Sequence, residues 1–175
     1  MTALVVDASA ALALLRGEAG AAEVGSRLRE QGLAGEPILV PALFWLEVVN
    51  VLAHRHRWPP DAIVEAVYEL EQAGLSTTEV GRPAMLAVID AIGRSGLTAY
   101  NVAYLVLAQS TDARLLTADA ALAAAAGGRA ELVGGADNDI AEPAATYAPD
   151  RSWTTWGGAA AYLAELRRAV QLGLP

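Results

Sequence analysis

The chain reads as an α/β sandwich, with helices on both faces of a central parallel sheet of about five strands. Three features carry that reading. Short apolar runs recur five times, each separated from the next by material of helix length. Strands that alternate with helices in this way argue for a parallel sheet covered on both faces. Proline and glycine fall at the joints between segments more than inside them.

The first run, residues 3–6, ends in Asp7, and Ser9 opens an Ala/Leu-rich stretch that predicts a helix over 9–16. A helix over 19–31 and a strand over 37–40 follow. The next helix is expected over 41–57, with Pro41 in its first turn, where the missing N–H is tolerated. Pro60 and Pro83 open helices over 60–73 and 82–94 in the same way, with a strand over 75–80 between them. A helix over 98–110, a strand over 113–117, a helix over 119–127 and a strand over 130–133 complete the alternation. Gly32, Gly74, Gly96 and Gly127 are expected to end helices. Strands joined through helices pair in parallel, because the chain must cross over to restart at the same end of the sheet.

After Val133 the texture changes to a Gly-, Ala-, Asp- and Pro-rich stretch without hydrophobic period, read as a linker over 134–152. Beyond it, Trp153 and Trp156 precede Tyr162, Leu163, Leu166 and Val170 at helical spacing, so 153–175 is expected to form an amphipathic tail helix. A lone helix of this length is marginal in water and must dock on something. The main domain is therefore expected to span 1–133.

Composition narrows the chemistry. The net charge of -8 over 175 residues rules out broad electrostatic attraction to a nucleic-acid backbone, so any RNA contact must be local. All 12 basic residues are Arg, which removes lysine-dependent phosphate loops and Schiff-base catalysis. Absence of cysteine excludes disulfides, thiolate metal sites and cysteine nucleophiles, and agrees with an expected cytoplasmic location. The N-terminal apolar run lacks a leading positive charge and is interrupted by Asp7, so neither a signal peptide nor a membrane span is expected.

In an open parallel sheet, ligands collect beyond the carboxyl ends of the strands. Asp7 follows the first strand, and Thr117 and Asp119 follow the fourth, so two carboxylates should meet at one edge. Glu47 interrupts an apolar helical stretch, where an uncompensated carboxylate is costly and calls for a partner or a metal. Asn101 lies in the first turn of a helix, before an apolar run. Gathered oxygen ligands without basic neighbours suit a hard divalent ion, Mg2+ or Mn2+. Such ions polarise phosphoryl oxygens and favour ionisation of water, as phosphodiester hydrolysis requires. Asp7 and Asp119 also suit helix N-caps. Arg55 and Arg57, in the densest basic stretch, are candidate phosphate contacts, whereas His54 and His56 are two apart and face different ways. Tyr100 and Tyr104 share a helical face and are read as packing groups.

Four segments give the chain a family resemblance: VVDASAALALL at 5–15, PALFWLEVVNVL at 41–52, GLTAYNVAYLVLA at 96–108 and LLTADAALA at 115–123. In this order and spacing they resemble the PIN-domain ribonucleases, and among them the VapC-type toxins of bacterial toxin-antitoxin pairs. The resemblance covers residues 3–133. It implies a PIN-like three-layer sandwich, a homodimer, a VapB-like antitoxin partner and metal-dependent endonuclease cleavage of RNA. Asp7, Glu47 and Asp119 match the family's acidic ligands, with Thr117 as the hydroxyl neighbour and Ser9 in support. Asn101 stands where the family pattern has Asp. An amide keeps the shape and one carbonyl oxygen but lacks the charge and cannot act as a base.

The tail also departs from the pattern. Antitoxins of this kind insert an aromatic residue and an arginine into the acidic cleft, and the tail supplies Trp153, Trp156, Arg167 and Arg168. As a flexible coil, the linker of about 19 residues spans about 25 Å, enough to let the tail plug the cleft in cis or in trans. Two rival readings accompany the nuclease. One is a catalytically impaired PIN domain that dimerises and binds an antitoxin, favoured by Asn101. The other is a haloacid-dehalogenase-like phosphatase, which needs a second Asp where Ser9 stands and a later Lys that the chain lacks.

Overall fold

The apolar runs pair side by side into one sheet of five parallel strands in the order β3-β2-β1-β4-β5. The structure is a computed structural model that describes residues 2–134. The strands are β1 (Leu4–Val6), β2 (Ile38–Pro41), β3 (Leu75–Thr78), β4 (Arg114–Thr117) and β5 (Ala130–Leu132). Register is set by pairs such as Val5 with Leu39 and Leu115. Leu4, Val5 and Val6 are fully buried, which explains an apolar run without alternation: β1 is central and covered on both faces. The outer strands β3 and β5 carry Ser76, Thr77 and Glu131, in keeping with one free edge each.

Among the described residues seven α-helices flank the sheet: α1 (Ala8–Arg16), α2 (Ala21–Leu33), α3 (Leu43–Asn50), α4 (Pro60–Gln72), α5 (Arg82–Ser95), α6 (Ala99–Ser110) and α7 (Ala120–Ala126). This is the three-layer α/β/α arrangement expected from the alternation. Helix α6 lies over β1, β2 and β4 and packs on α5 and α7, while α1 packs on α2 and α3. Phe44, Leu52, Tyr104, Leu115 and Leu116 fill the interior between them. No helix among the described residues is long and apolar enough to cross a membrane.

Three local expectations are corrected. Pro41 ends β2 and is no helix starter, and α3 begins at Leu43. The helix expected over 41–57 is broken: α3 stops at Asn50, and Val51–Arg55 form a π-helical turn closed by the His56 N–H on the Val51 carbonyl at 3.2 Å. Helical periodicity marks the stretch as helical but does not separate a four-residue from a five-residue repeat. The wider turn keeps Leu52 in the core while Arg55 reaches solvent, and Arg57 then adopts φ +57°. Gly32 lies inside α2, which runs on to Leu33.

Candidate active site

Strand order places the acidic residues. From β1 the chain steps outward to β2 and β3, then returns past β1 to β4 and steps outward the other way to β5. β1 and β4 are thus neighbours whose connections leave in opposite directions, the switch point where open α/β sheets form a crevice. Asp7 follows β1 and Asp119 lies two residues beyond β4, so both stand at that crevice.

Asp7 caps α1 and is 4% exposed. Its Oδ2 accepts the Ser9 N–H at 3.3 Å, the Ser9 hydroxyl, and the Thr117 hydroxyl at 2.8 Å. Both hydroxyls pass the network on: Ser9 Oγ accepts the Ala118 N–H and Thr117 Oγ1 accepts the Asp119 N–H, each at 2.9 Å. Two side chains thereby join the β1–α1 and β4–α7 junctions. Asp7 Oδ1 accepts no hydrogen bond from the described residues. Burial pushes the Asp7 carboxyl above the ordinary range; the Ser9 and Thr117 hydrogen bonds oppose this, and the charge of Asp119 adds to it.

Asp119 is half-buried and caps α7, its Oδ1 accepting the N–H groups of Ala121 at 2.7 Å and Leu122 at 3.0 Å. Its Oδ2 accepts from Asn101 Nδ2 at 2.9 Å. Asn101 is held one turn into α6, its N–H donating to the Thr98 cap at 3.2 Å. The structure therefore brings Asp7, Ser9, Asn101, Thr117 and Asp119 into one hydrogen-bonded set.

Glu47, on α3, accepts a hydrogen bond at Oε2 from the Tyr104 hydroxyl. Burial raises the affinity of Tyr104 for its proton, and the charges of Asp7 and Glu47 raise it further. The Tyr104 hydroxyl thus orients Glu47 from α6 across to α3. Tyr104 is the residue that sequence reasoning underrated, since it is fully buried while Tyr100 on the same helix is 49% exposed. The available signal was its place one turn after Asn101, on the same face of α6.

Arg55 and Arg57 lie elsewhere. His56, between them, feels Arg16, Arg55 and Glu18 at the end of α1 opposite to Asp7, about 13 Å along that helix. Trp153, Trp156, Arg167 and Arg168 lie outside the described residues, as does all of the linker beyond residue 134.

The donor types suit a hard cation: oxygens from Asp7, Glu47, Asp119 and the Asn101 carbonyl, with no donor to the buried Asp7 Oδ1 among the described residues. They are not gathered as an ion cage, since among the described residues no three Asp, Glu, His or Cys side chains stand together, Asp7, Glu47 and Asp119 included. Asn101 adds an amide, not a further charge, beside Asp119.

Comparison with known proteins bears on the whole domain. No curated protein sequence matches the chain. Among solved structures, PAE2754 from Pyrobaculum aerophilum superposes with a TM-score of 0.56 at 24% identity, covering 74% of this chain and 83% of that one. VapC20 from Mycobacterium tuberculosis, a sarcin-ricin loop cleaving toxin, superposes with a TM-score of 0.54 at 16% identity, covering 70% of this chain and 94% of that one. These likenesses establish the shared fold. The family model described as PIN domain matches residues 4–128, which span all seven α-helices and every residue of the hydrogen-bonded set. With its acidic crevice at the switch point of a five-stranded parallel sheet, the chain belongs to the PIN domain family.

Proposed function

We propose that this protein is a VapC-like RNA endonuclease that hydrolyses phosphodiester bonds with Mg2+ or Mn2+. The observation that carries the reading is the joining of Asp7 and Asp119 at the switch point, with Asn101 on Asp119 and Glu47 oriented from α6 by Tyr104. Family membership and a fold shared with a toxin that cleaves the sarcin-ricin loop support it. A VapB-like antitoxin and a homodimer are the partners in this reading. Exposed Val64 and Tyr68 on α4, and Met85, Leu86 and Ile89 on α5, supply apolar surface for association.

A divalent ion held by Asp7, Glu47, Asp119 and the Asn101 carbonyl would polarise a phosphoryl oxygen and favour ionisation of a water. The chain's own residues do the positioning. Ser9 and Thr117 occupy Asp7 Oδ2, which makes Oδ1 the oxygen that would take a proton or a ligand. Tyr104 orients Glu47 by its Oε2, and the α7 N-terminus orients Asp119 by its Oδ1. Arg55 and Arg57 are exposed and would contact RNA away from the reacting phosphate.

The second reading is a catalytically impaired PIN domain that dimerises and binds an antitoxin. It is favoured by Asn101, which gives Asp119 a donor where the family pattern has Asp. RNA cleavage by the parent chain and by Asn101→Asp, each with Mn2+ and with chelator, decides between them. Chelator-sensitive cutting by the parent supports the nuclease. Cutting only after Asn101→Asp supports a nuclease fold disarmed by its amide, and no cutting by either chain sinks the endonuclease reading.

A further inference from the structure

We propose that the Asn101 amide fills the place of a cation in the metal-free chain: its Nδ2 group hydrogen-bonds the Asp119 edge of the site, so that edge is satisfied without an ion, and a divalent ion has to compete with that hydrogen bond. This rests on the divalent-ion reading of the site and concerns how the ion's place is filled when it is absent.

The geometry leads there in three steps. First, heavy atoms of residues 101 and 119 stand 2.9 Å apart. Two carboxylates at that separation cannot both stay ionised without a proton or a cation between them. An amide of the same shape puts a donor there and removes the conflict. Second, both oxygens of Asp119 are occupied, Oδ1 by the N–H groups of Ala121 and Leu122 and Oδ2 by Asn101. A cation that draws on Asp119 Oδ2 competes with the Asn101 donor for that oxygen, and the native amide brings no charge of its own to attract it. Third, among the described residues Asp7 Oδ1 is left without a donor while its partner oxygen holds three. The crevice is therefore half satisfied: supplied with a donor on the Asp119 side by Asn101, and open to a cation on the Asp7 side.

Residue 101 then sets the exchange between a metal-free site and a metal-loaded one. The native amide favours the metal-free form and weakens ion binding, whereas a fourth carboxylate makes the site depend on the ion. Ligand charge count is a main determinant of divalent-ion affinity, so the difference should be about tenfold or more.

Thermal melting of the full chain in chelator and across a Mn2+ titration, with bound Mn2+ counted by electron paramagnetic resonance, tests this without any RNA. The comparison uses the parent, Asn101→Asp, and the exchange variant that combines Asn101→Asp with Asp119→Asn. In chelator, Asn101→Asp is expected to melt several degrees below the parent. The exchange variant, which restores one donor and one acceptor with their places reversed, should recover most of that loss. With Mn2+, Asn101→Asp should reach half-saturation at a concentration about tenfold or more below the parent. Equal melting of parent and Asn101→Asp in chelator overturns the proposal, as does an exchange variant with no recovery or an unchanged Mn2+ half-saturation. If neither chain binds Mn2+, the divalent-ion reading and the competition for Asp119 fall together. The chelator melts then still decide whether the Asn101 hydrogen bond stabilises Asp119.

Discussion

The β1–α1 and β4–α7 junctions follow one local plan and end in different surroundings. Each sets an aspartate in extended conformation after its strand, with φ -82° and ψ 151° at Asp7 and φ -85° and ψ 112° at Asp119, and each aspartate caps the next helix. Asp7 stands over the central strand, 4% exposed, with three donors crowded on one oxygen and none on the other among the described residues. Asp119 stands over β4, half-buried, with three N–H donors divided between its two oxygens. The lesson is that a strand–Asp–helix motif delivers a carboxylate to the crevice, while its proton affinity follows from what buries and solvates it.

Removing the link between the junctions should have the largest effect. Thr117→Val takes a donor from Asp7 and an acceptor from the Asp119 N–H at a fully buried position, and should cost about 2–4 kcal/mol in urea unfolding. A cost near zero would mean that the hydroxyl does not couple the two sides. Next, Asp119→Ala removes the α7 cap and should cost about 1–2 kcal/mol by the same measurement. A cost as large as that of Thr117→Val would erase the distinction between the half-buried and buried sites.

A smaller effect of opposite sign is expected at the other aspartate. In chelator near neutral pH, Asp7→Asn should raise the melting temperature by a few degrees, because it removes a charge that burial and Asp119 disfavour. Asp119→Asn should give no such rise, and equal responses would break the comparison. The mildest signature is the pH dependence of the parent. The raised Asp7 value means that the folded chain holds this proton more tightly than the unfolded one. Its contribution to stability is therefore full below the ordinary value of 3.8 and lost as pH climbs through the raised value. Unfolding of the parent and of Asp7→Asn across that window should show the decline in the parent alone, and a parent whose stability rises there would reverse the sign.

Much of this was legible along the chain. All five strands appear where the short runs stand; the central β1 is apolar throughout because a strand covered on both faces needs no polar positions, whereas β3 and β5 at the edges carry Ser76, Thr77 and Glu131. Asp7, Asn101 and Asp119 were marked by their places at strand and helix ends, and the structure joins them through Ser9 and Thr117. The break after Asn50 was not legible, because α- and π-turns share the same apolar residues and differ by one residue per repeat. Nor was the role of Tyr104, since a tyrosine inside an apolar helix looks like packing until its hydroxyl meets Glu47 across from another helix.

Local chemistry thus governs the alternation of strands and helices, the caps at Asp7 and Asp119, and the oxygen-rich, lysine-free character of the crevice, because backbone donors at a helix start and apolar periodicity act over a few residues. The strand order that makes β1 and β4 neighbours, the burial that separates Asp7 from Asp119, and the contact that sets Asn101 Nδ2 on Asp119 Oδ2 arise from segments far apart in the chain. Charge and desolvation act through space, so those properties came into being when the sheet closed.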